Sequence, residues 1–294
     1  MFYFNISINP LQFQILKVKF MKITADISAL FNLRGKTALI TGGGAGLGLI
    51  ITEALVKSGA KIIIVSRKKT NVLKARESML ALSPKSSIYT LTANLGDETE
   101  IAKLVSEVKE ITSSIDILVN NSGVSWGAEL GKFPYSAWEK VSSVNVSGLF
   151  HLTQSLLPLI ELNATIENPS KILNIGSVMG SAPYGDGAYS YSASKSAVHH
   201  LTRILAKELA HKRITVNALA PGPFASKMTE FAMNSDKKLN SVASGVPLGR
   251  IGSANDIAAA TLFICGQGGN YITGAIIPID GGLHISTGPE LFDN

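Results

Sequence analysis

The sequence predicts an α/β fold: a doubly wound parallel sheet of about seven strands, with helices on both faces, in a single domain. Three observations carry this. β-rich apolar runs alternate with amphipathic helical stretches, with no break in composition and no internal repeat. The stretch Lys61-Ile62-Ile63-Ile64-Val65 is apolar throughout after its lysine, as a strand covered on both faces must be. The first strand also ends in a glycine-rich turn that opens directly into a helix.

The elements follow in order. Lys36 to Ile40 is the first strand, ending in Thr41-Gly42-Gly43-Gly44-Ala45-Gly46-Leu47-Gly48, and an amphipathic helix then runs to Lys57 with Gly59 as its stop. In that setting glycines let the backbone approach a pyrophosphate seated on the free N–H groups of the helix N-terminus. The second strand, Lys61 to Val65, leads into Ser66-Arg67. An acid at this point would hold a ribose diol and repel a 2′-phosphate, whereas Ser66 and Arg67 favour the phosphate, and so NADPH over NADH.

A helix from about Thr70 to Leu82 stops near Pro84. The strand Ile88–Leu91 ends at Ala93-Asn94-Leu95, and a helix from Glu98 to Ile111 leads to the strand Ile117–Val119 and the turn Asn120-Asn121-Ser122-Gly123. Helical periodicity then spans Tyr135 to about Leu162, where Ser147-Gly148 predicts an irregularity near Asn145. The fifth strand is Lys171–Ile175, and the sixth, Ile214–Leu219, ends in Pro221-Gly222-Pro223. The polar, weakly periodic segment Phe224–Val246 reads as a lid or substrate-entry region. A helix from Ala254 to Cys265 and a strand from Ala275 to Ile279 complete the pattern.

Between the fifth and sixth strands lies the stretch with the most chemistry. Asn174-Ile175-Gly176-Ser177 precedes a helix that carries Tyr191 and Lys195 and extends to about His211; of the seven tyrosines, only Tyr191 has a lysine four positions on. That spacing stacks the two side chains on one helix face. An ammonium beside a phenol favours phenolate, lowering a pKa that starts near ~10, and such a hydroxyl can exchange a proton with a carbonyl or alcohol oxygen. Ser177 can hydrogen-bond the same oxygen.

Composition narrows the field. One cysteine, Cys265, excludes an internal disulfide framework and a cysteine-based zinc site, and fits a reducing compartment. The five histidines lack metal-ligand spacing, so no metal site is expected, and His199-His200 reads as a packing or surface pair. The net charge of +6 is spread along the chain, with Arg67-Lys68-Lys69 its one dense run. This suits an anionic small molecule better than a nucleic acid. No run of about 18 uninterrupted apolar residues is present, so no membrane span is expected. Residues 1–20 lack the basic region and cleavage site of a signal peptide and the arginine of a mitochondrial presequence. Within an extension assigned to 1–32, they are expected to be disordered or to reflect a misassigned start ahead of Met21. A catalytic domain is assigned to 33–283 and a tail to 284–294.

Taken together, Thr41, Gly42, Gly46 and Gly48, then Asn120, Asn121 and Gly123, then Asn145, Ser177, Tyr191 and Lys195, and finally Pro221 and Gly222 resemble the short-chain dehydrogenase/reductase family from Leu33 to Gly282. The resemblance is closest to NADPH-dependent β-ketoacyl reductases of the rhamnolipid type, in stretches such as Ser125-Trp126-Gly127-Ala128 and Ser226-Lys227-Met228-Thr229. It implies a Rossmann-type fold, NADP as cofactor, and hydride transfer from NADPH to a 3-oxoacyl thioester, carried on acyl carrier protein or CoA, in fatty acid metabolism. A broad ketone, sugar or steroid dehydrogenase of the same family is the alternative, and a non-catalytic NADPH-binding regulator a further one. The catalytic set it implies is Asn145, Ser177, Tyr191 and Lys195, with Asn145 holding a water that links Lys195 to solvent. The cofactor set is Gly42, Gly44, Gly46, Leu47, Ser66, Arg67, Asn94, Leu95, Asn121, Gly123, Tyr191, Lys195, Pro221 and Gly222. Asn94 stands where the family has an Asp that touches adenine, and Ser122 where it has Ala. A cytoplasmic homotetramer or dimer is expected, with Tyr271–Ile279 as an apolar interface strip. Trp126 and Phe224–Met233 are candidate walls for an acyl chain.

Overall fold

The computed structural model describes residues 26–184, 187–225, 229 and 234–286. The extension expected at residues 1–20, the Ser226-Lys227-Met228 stretch and the tail beyond Ser286 lie outside the described residues.

Seven parallel strands form one sheet in the order β3-β2-β1-β4-β5-β6-β7. They are β1 (Thr37–Thr41), β2 (Lys61–Ser66), β3 (Ile88–Thr92), β4 (Ile117–Asn120), β5 (Ser170–Ile175), β6 (Ile214–Pro221) and β7 (Ile276–Ile279). The helices between them are α1 (Gly46–Lys57), α2 (Lys69–Leu82), α3 (Glu98–Ile111), α4 (Tyr135–Ser142), α5 (Leu149–Glu161), α6 (Tyr189–Leu209), α7 (Asp236–Ser244) and α8 (Ala254–Cys265).

Alternation along each strand divides the core in two. Ala38, Ile40, Ile62 and Ile64 pack against Ile51 and Leu55 of α1, Val72 and Met79 of α2, and Ile257 and Ile264 of α8. Leu39, Ile63 and Val65 face the other way, onto Ile101 and Leu104 of α3, Leu152 and Leu156 of α5, and Leu205 and Leu209 of α6. Both faces are therefore dry, which is why β1, β4, β5 and β6 are buried at every position. The chain reverses its direction across the sheet at β1, whose neighbours are β2 and β4. A crevice opens outside the carboxyl ends of strands at such a point.

The irregularity expected near Asn145 is present as a π turn, Ser143–Gly148, between α4 and α5. Gly148 fits there because a Cβ would lie 1.9 Å from the Leu95 carbonyl oxygen. The segment after β6 differs from expectation by holding a helix, α7, started by the Ser235 hydroxyl accepting from Lys238 N–H. It has no fully buried residue, and its apolar positions, Leu239, Val242 and Ala243, keep helical spacing over only about one turn.

Candidate functional site

A cleft of about 420 Å³ lies across the carboxyl ends of β1, β2, β4, β5 and β6. Its nucleotide-binding end is built mainly from backbone. Gly42 and Gly46 take positive φ, +65° and +54°, so the chain turns sharply out of β1 and into α1. Thr41 ties that turn to the loop after β4: its hydroxyl accepts from Asn121 N–H at 2.9 Å and Ser122 N–H at 3.0 Å. Asn121 returns a bond from Nδ2 to the Thr41 carbonyl at 3.0 Å. A Cβ on Gly48 would stand 2.2 Å from the Gly42 carbonyl oxygen, so the helix and turn touch as bare backbone. No side chain caps α1 and no acid sits in its first turn, which leaves its N–H groups facing the cleft.

Ser66 and Arg67 lie at one end of this cradle, joined by Asn71 from the first turn of α2. Among the described residues Arg67 has no carboxylate partner within ion-pair distance. The cleft is thus shaped for a pyrophosphate at the α1 N-terminus and a further phosphate at Arg67, and the residues present fit NADPH.

The other end is built from side chains. Ser177 follows β5, while Tyr191 and Lys195 lie one turn apart near the start of α6, and all three line the cleft. The Ser177 hydroxyl is near enough to the Tyr191 phenol to favour its charged form, and the Lys195 ammonium lies 5.5 Å from the Tyr191 ring centroid. Lys195 donates to the Ile175 carbonyl at 2.7 Å. Burial pushes the ammonium down to about 8. For Tyr191 the sequence-based expectation needs correcting. Burial of the phenol raises its pKa, and the Ser177 hydroxyl opposes this only in part. Desolvation outweighs an ammonium that sits below the ring and is itself desolvated.

Asn145 is placed behind the cleft wall, buried, by the π turn. Its Oδ1 accepts from Val124 N–H at 2.8 Å, and its Nδ2 donates to the Val124 carbonyl and to Ser194 Oγ, both at 2.9 Å. Both amide hydrogens are spent, so its side chain is a clamp on the Gly123–Val124 backbone that walls Lys195. A Cβ on Gly123 would lie 3.4 Å from Asn145 Oδ1 and 3.7 Å from Lys195 Nζ. Any water held here would have to use the remaining lone pair of Oδ1 or the backbone.

Of the other expected cofactor residues, Gly42, Gly46, Leu47, Leu95, Asn121, Pro221 and Gly222 line the cleft. Gly44 and Asn94 do not. Gly44 backs onto the Asn71 backbone, 3.0 Å from where its Cβ would be. Asn94 is consumed locally: its side chain accepts from Gly96 N–H at 3.2 Å, and its own N–H donates to Glu100 at 2.7 Å. Its neighbours Ala93 and Leu95 face the cleft instead. Sequence reasoning missed Asn71 and Val144 as lining residues, while Thr229, within the candidate wall Phe224–Met233, is one. Phe224, a candidate wall residue, is another, pressed against Gly252, where a Cβ would meet its ring at 2.3 Å. Trp126 is not; it stands half-exposed with the Lys140 ammonium 5.9 Å above its ring.

Comparison with known proteins agrees with this geometry. A family model described as enoyl-(acyl carrier protein) reductase matches residues 42–284. A rhamnolipids biosynthesis 3-oxoacyl-(acyl-carrier-protein) reductase from Pseudomonas aeruginosa is 41% identical over 87% of this chain and 98% of its own. A 3-oxoacyl-(acyl-carrier-protein) reductase FabG from Thermotoga maritima is 36% identical over 86% of this chain and 99% of its own. Among solved structures, the Pseudomonas aeruginosa RhlG/NADP active-site complex aligns with a TM-score of 0.84 at 40% identity, covering 87% of this chain and 99% of that one.

Proposed function

The chain belongs to the short-chain dehydrogenase/reductase family, and from that premise we propose that this oxidoreductase uses NADPH to reduce a 3-oxoacyl thioester to its 3-hydroxyacyl form. The observation that carries the reading is that Ser177 and Tyr191 line the same cleft, with a buried ammonium one helical turn beyond the tyrosine. Two hydroxyls in one cleft suit a carbonyl oxygen that gains charge and then a proton. When bound, NADPH supplies the hydride that the carbonyl carbon accepts.

The chain's own residues do the rest. Tyr191 gives its proton to the developing alkoxide. Its raised pKa keeps the phenol protonated near neutral pH, the form that reduction needs. Ser177 donates a hydrogen bond to the same oxygen and holds it in line. Lys195 stabilises the phenolate left after proton transfer, and Asn145 fixes the wall behind Lys195 through Val124 and Ser194. At the other end Arg67, with Ser66 and Asn71, holds the 2′-phosphate and so selects NADPH. The thioester as substrate class is supported by the printed activities of the Pseudomonas and Thermotoga relatives.

The test is NADPH consumption with a short 3-oxoacyl thioester, beside NADH, an enoyl thioester and Tyr191→Phe as controls. Turnover specific to NADPH and the 3-oxo compound, lost in the variant, is expected. Turnover of sugar or steroid ketones alone would replace the substrate reading, and none with any carbonyl would overturn it.

The chain is also read as a cytoplasmic homo-oligomer, dimer or tetramer. Supporting this are β7, which forms one edge of the sheet, and Tyr271, whose ring is fully exposed beside it. A monomer by light scattering would reject that part. Among the described residues no helix is long and apolar enough to cross a membrane.

A further inference from the structure

The sequence treats His199 and His200 alike, and the structure separates them. His200 is exposed, whereas His199 is 3% exposed and lies on the α6 face that carries Tyr191 and Lys195, one turn beyond the lysine. Its ring is wedged between two glycines of the Ser177 loop. A Cβ on Gly176 would fall 2.2 Å from Nε2, and one on Gly180 would fall 2.8 Å from Cε1. Neither glycine takes a positive φ, so close packing, not backbone conformation, demands them: the ring itself at Gly176, and the ring together with the Lys195 backbone, 2.8 Å away, at Gly180.

The polar contacts fix the ring's protonation pattern. Ser177 N–H points at Nε2 across 3.5 Å, so Nε2 must present its lone pair. The proton of a neutral imidazole then sits on Nδ1, which faces Ser181 Oγ at 3.3 Å and donates to it. One ring thus spans the turn from Ser177 to Ser181, whose middle is the short 3-10 turn Val178–Gly180. The Ser177 hydroxyl is held on the opposite side, accepting from Met179 N–H at 3.2 Å. The charged groups facing the imidazole are Lys195 and Arg203. Burial first, then these two positive charges, push its pKa down to about 4, so the imidazole stays neutral throughout the working pH range.

We infer that His199 is a positioning residue for Ser177: its neutral imidazole sets the height and rotation of the Ser177 loop, so that the serine hydroxyl meets the same oxygen as Tyr191. The inference rests on the reductase reading for its kinetic arm and on the structure alone for its spectroscopic arm. It also explains a sequence feature that hydride chemistry does not ask for, the glycine directly before the catalytic serine.

Two experiments test it. In the whole protein, ¹⁵N NMR of the histidine side chains should show one imidazole with its proton on Nδ1 that does not titrate between pH 5 and 8. A His199 resonance titrating near the usual histidine value would overturn the inference whatever the enzyme reduces. In turnover assays His199→Leu should lower kcat at least tenfold with NADPH affinity unchanged, and His199→Gln, which can still accept and donate, should recover most of that loss. Placed in a Ser177→Ala background, His199→Leu should cost less than about twofold further, because the group it positions is already gone. Equal losses in both backgrounds, or no loss with leucine, would overturn the positioning role. If the parent protein reduces no carbonyl, the reductase reading fails while the NMR result still decides the geometry.

Discussion

The two ends of the cleft are built by opposite means. Around Gly42, Gly46 and Gly48 the recognising groups are backbone N–H groups, and the side chains that matter are the ones that are missing. Around Ser177, Tyr191 and Lys195 the recognising groups are side-chain hydroxyls and an ammonium, held by other side chains: Asn145 through Val124 and Ser194, and His199 through the serine loop. The first kind of site is broken by adding atoms, the second by removing them. Substitutions at the two ends should therefore fail in different observables, affinity at one and turnover at the other.

The largest effect belongs to the catalytic end. Tyr191→Phe removes one oxygen from a helix that keeps its packing, so NADPH binding measured by fluorescence should be unchanged. Turnover should fall by about 10³-fold, since the variant lacks the proton donor. A comparable loss of cofactor affinity would mean that the two ends are not separable.

Arg67→Glu probes the other end. It removes a charge-assisted partner and adds a like charge, worth roughly 2–3 kcal/mol together. The NADPH dissociation constant should rise about 100-fold, the NADH constant should change little, and kcat at saturation should be kept. Equal weakening of both cofactors would place the 2′-phosphate away from Arg67.

A third pair of variants sets one glycine against another. Gly48→Ala drives a methyl to within 2.2 Å of the Gly42 carbonyl oxygen, contact between two backbone segments that cannot rotate away. NADPH affinity should fall about tenfold, with a stability loss of about 1–3 kcal/mol. Gly44→Ala meets the Asn71 backbone at 3.0 Å, outside the cleft, and should shift affinity by less than about threefold. Isothermal titration of the two variants would decide, and equal losses would show that the cradle extends to Gly44.

This contrast also explains what was legible in the sequence. The strands and most helices fall within a residue or two of the expected bounds, because period-2 and period-3.6 burial is written into the apolar pattern on both sheet faces. The cradle was legible because glycine has few other reasons to cluster after a strand. The residues proposed as catalytic could be picked out by type and spacing, but their supports could not. Asn145's partners Val124 and Ser194, and His199's partners Ser177 and Ser181, are 18 to 49 residues away in sequence. No local pattern announces such contacts. Gly44 and Asn94 fit the motif by type but do not line the cleft: the Asn71 backbone packs on one, and Gly96 N–H bonds the side-chain oxygen of the other. α7 escaped notice because its helical spacing, Leu239, Val242 and Ala243, spans little more than one turn of a short, polar segment.

The smallest effect is the one that separates activity from stability most cleanly. Lys195 and Lys171 are both buried ammonium groups pushed down to about 8: the first, on α6, donates to the carboxyl end of β5 in the cleft, and the second, at the amino-terminal end of β5, donates to Asn270. In the unfolded chain each keeps its proton to near ~10.4. Between pH 8 and 9 the unfolded state therefore binds more protons than the folded one, and stability must rise with pH, by at most about 1.4 kcal/mol per pH unit for each lysine. Turnover has the opposite slope. Once Lys195 loses its charge above pH 8, no positive charge beside Tyr191 stabilises the phenolate, and kcat should decline toward tenfold per unit. Lys171→Met should flatten the stability slope and leave the kcat profile in place, whereas Lys195→Arg, charged throughout, should remove the alkaline fall in kcat. Denaturant midpoints and kcat taken over the same pH range would check both. If the two slopes share a sign, the ammonium that limits turnover is not the one buried beneath Tyr191.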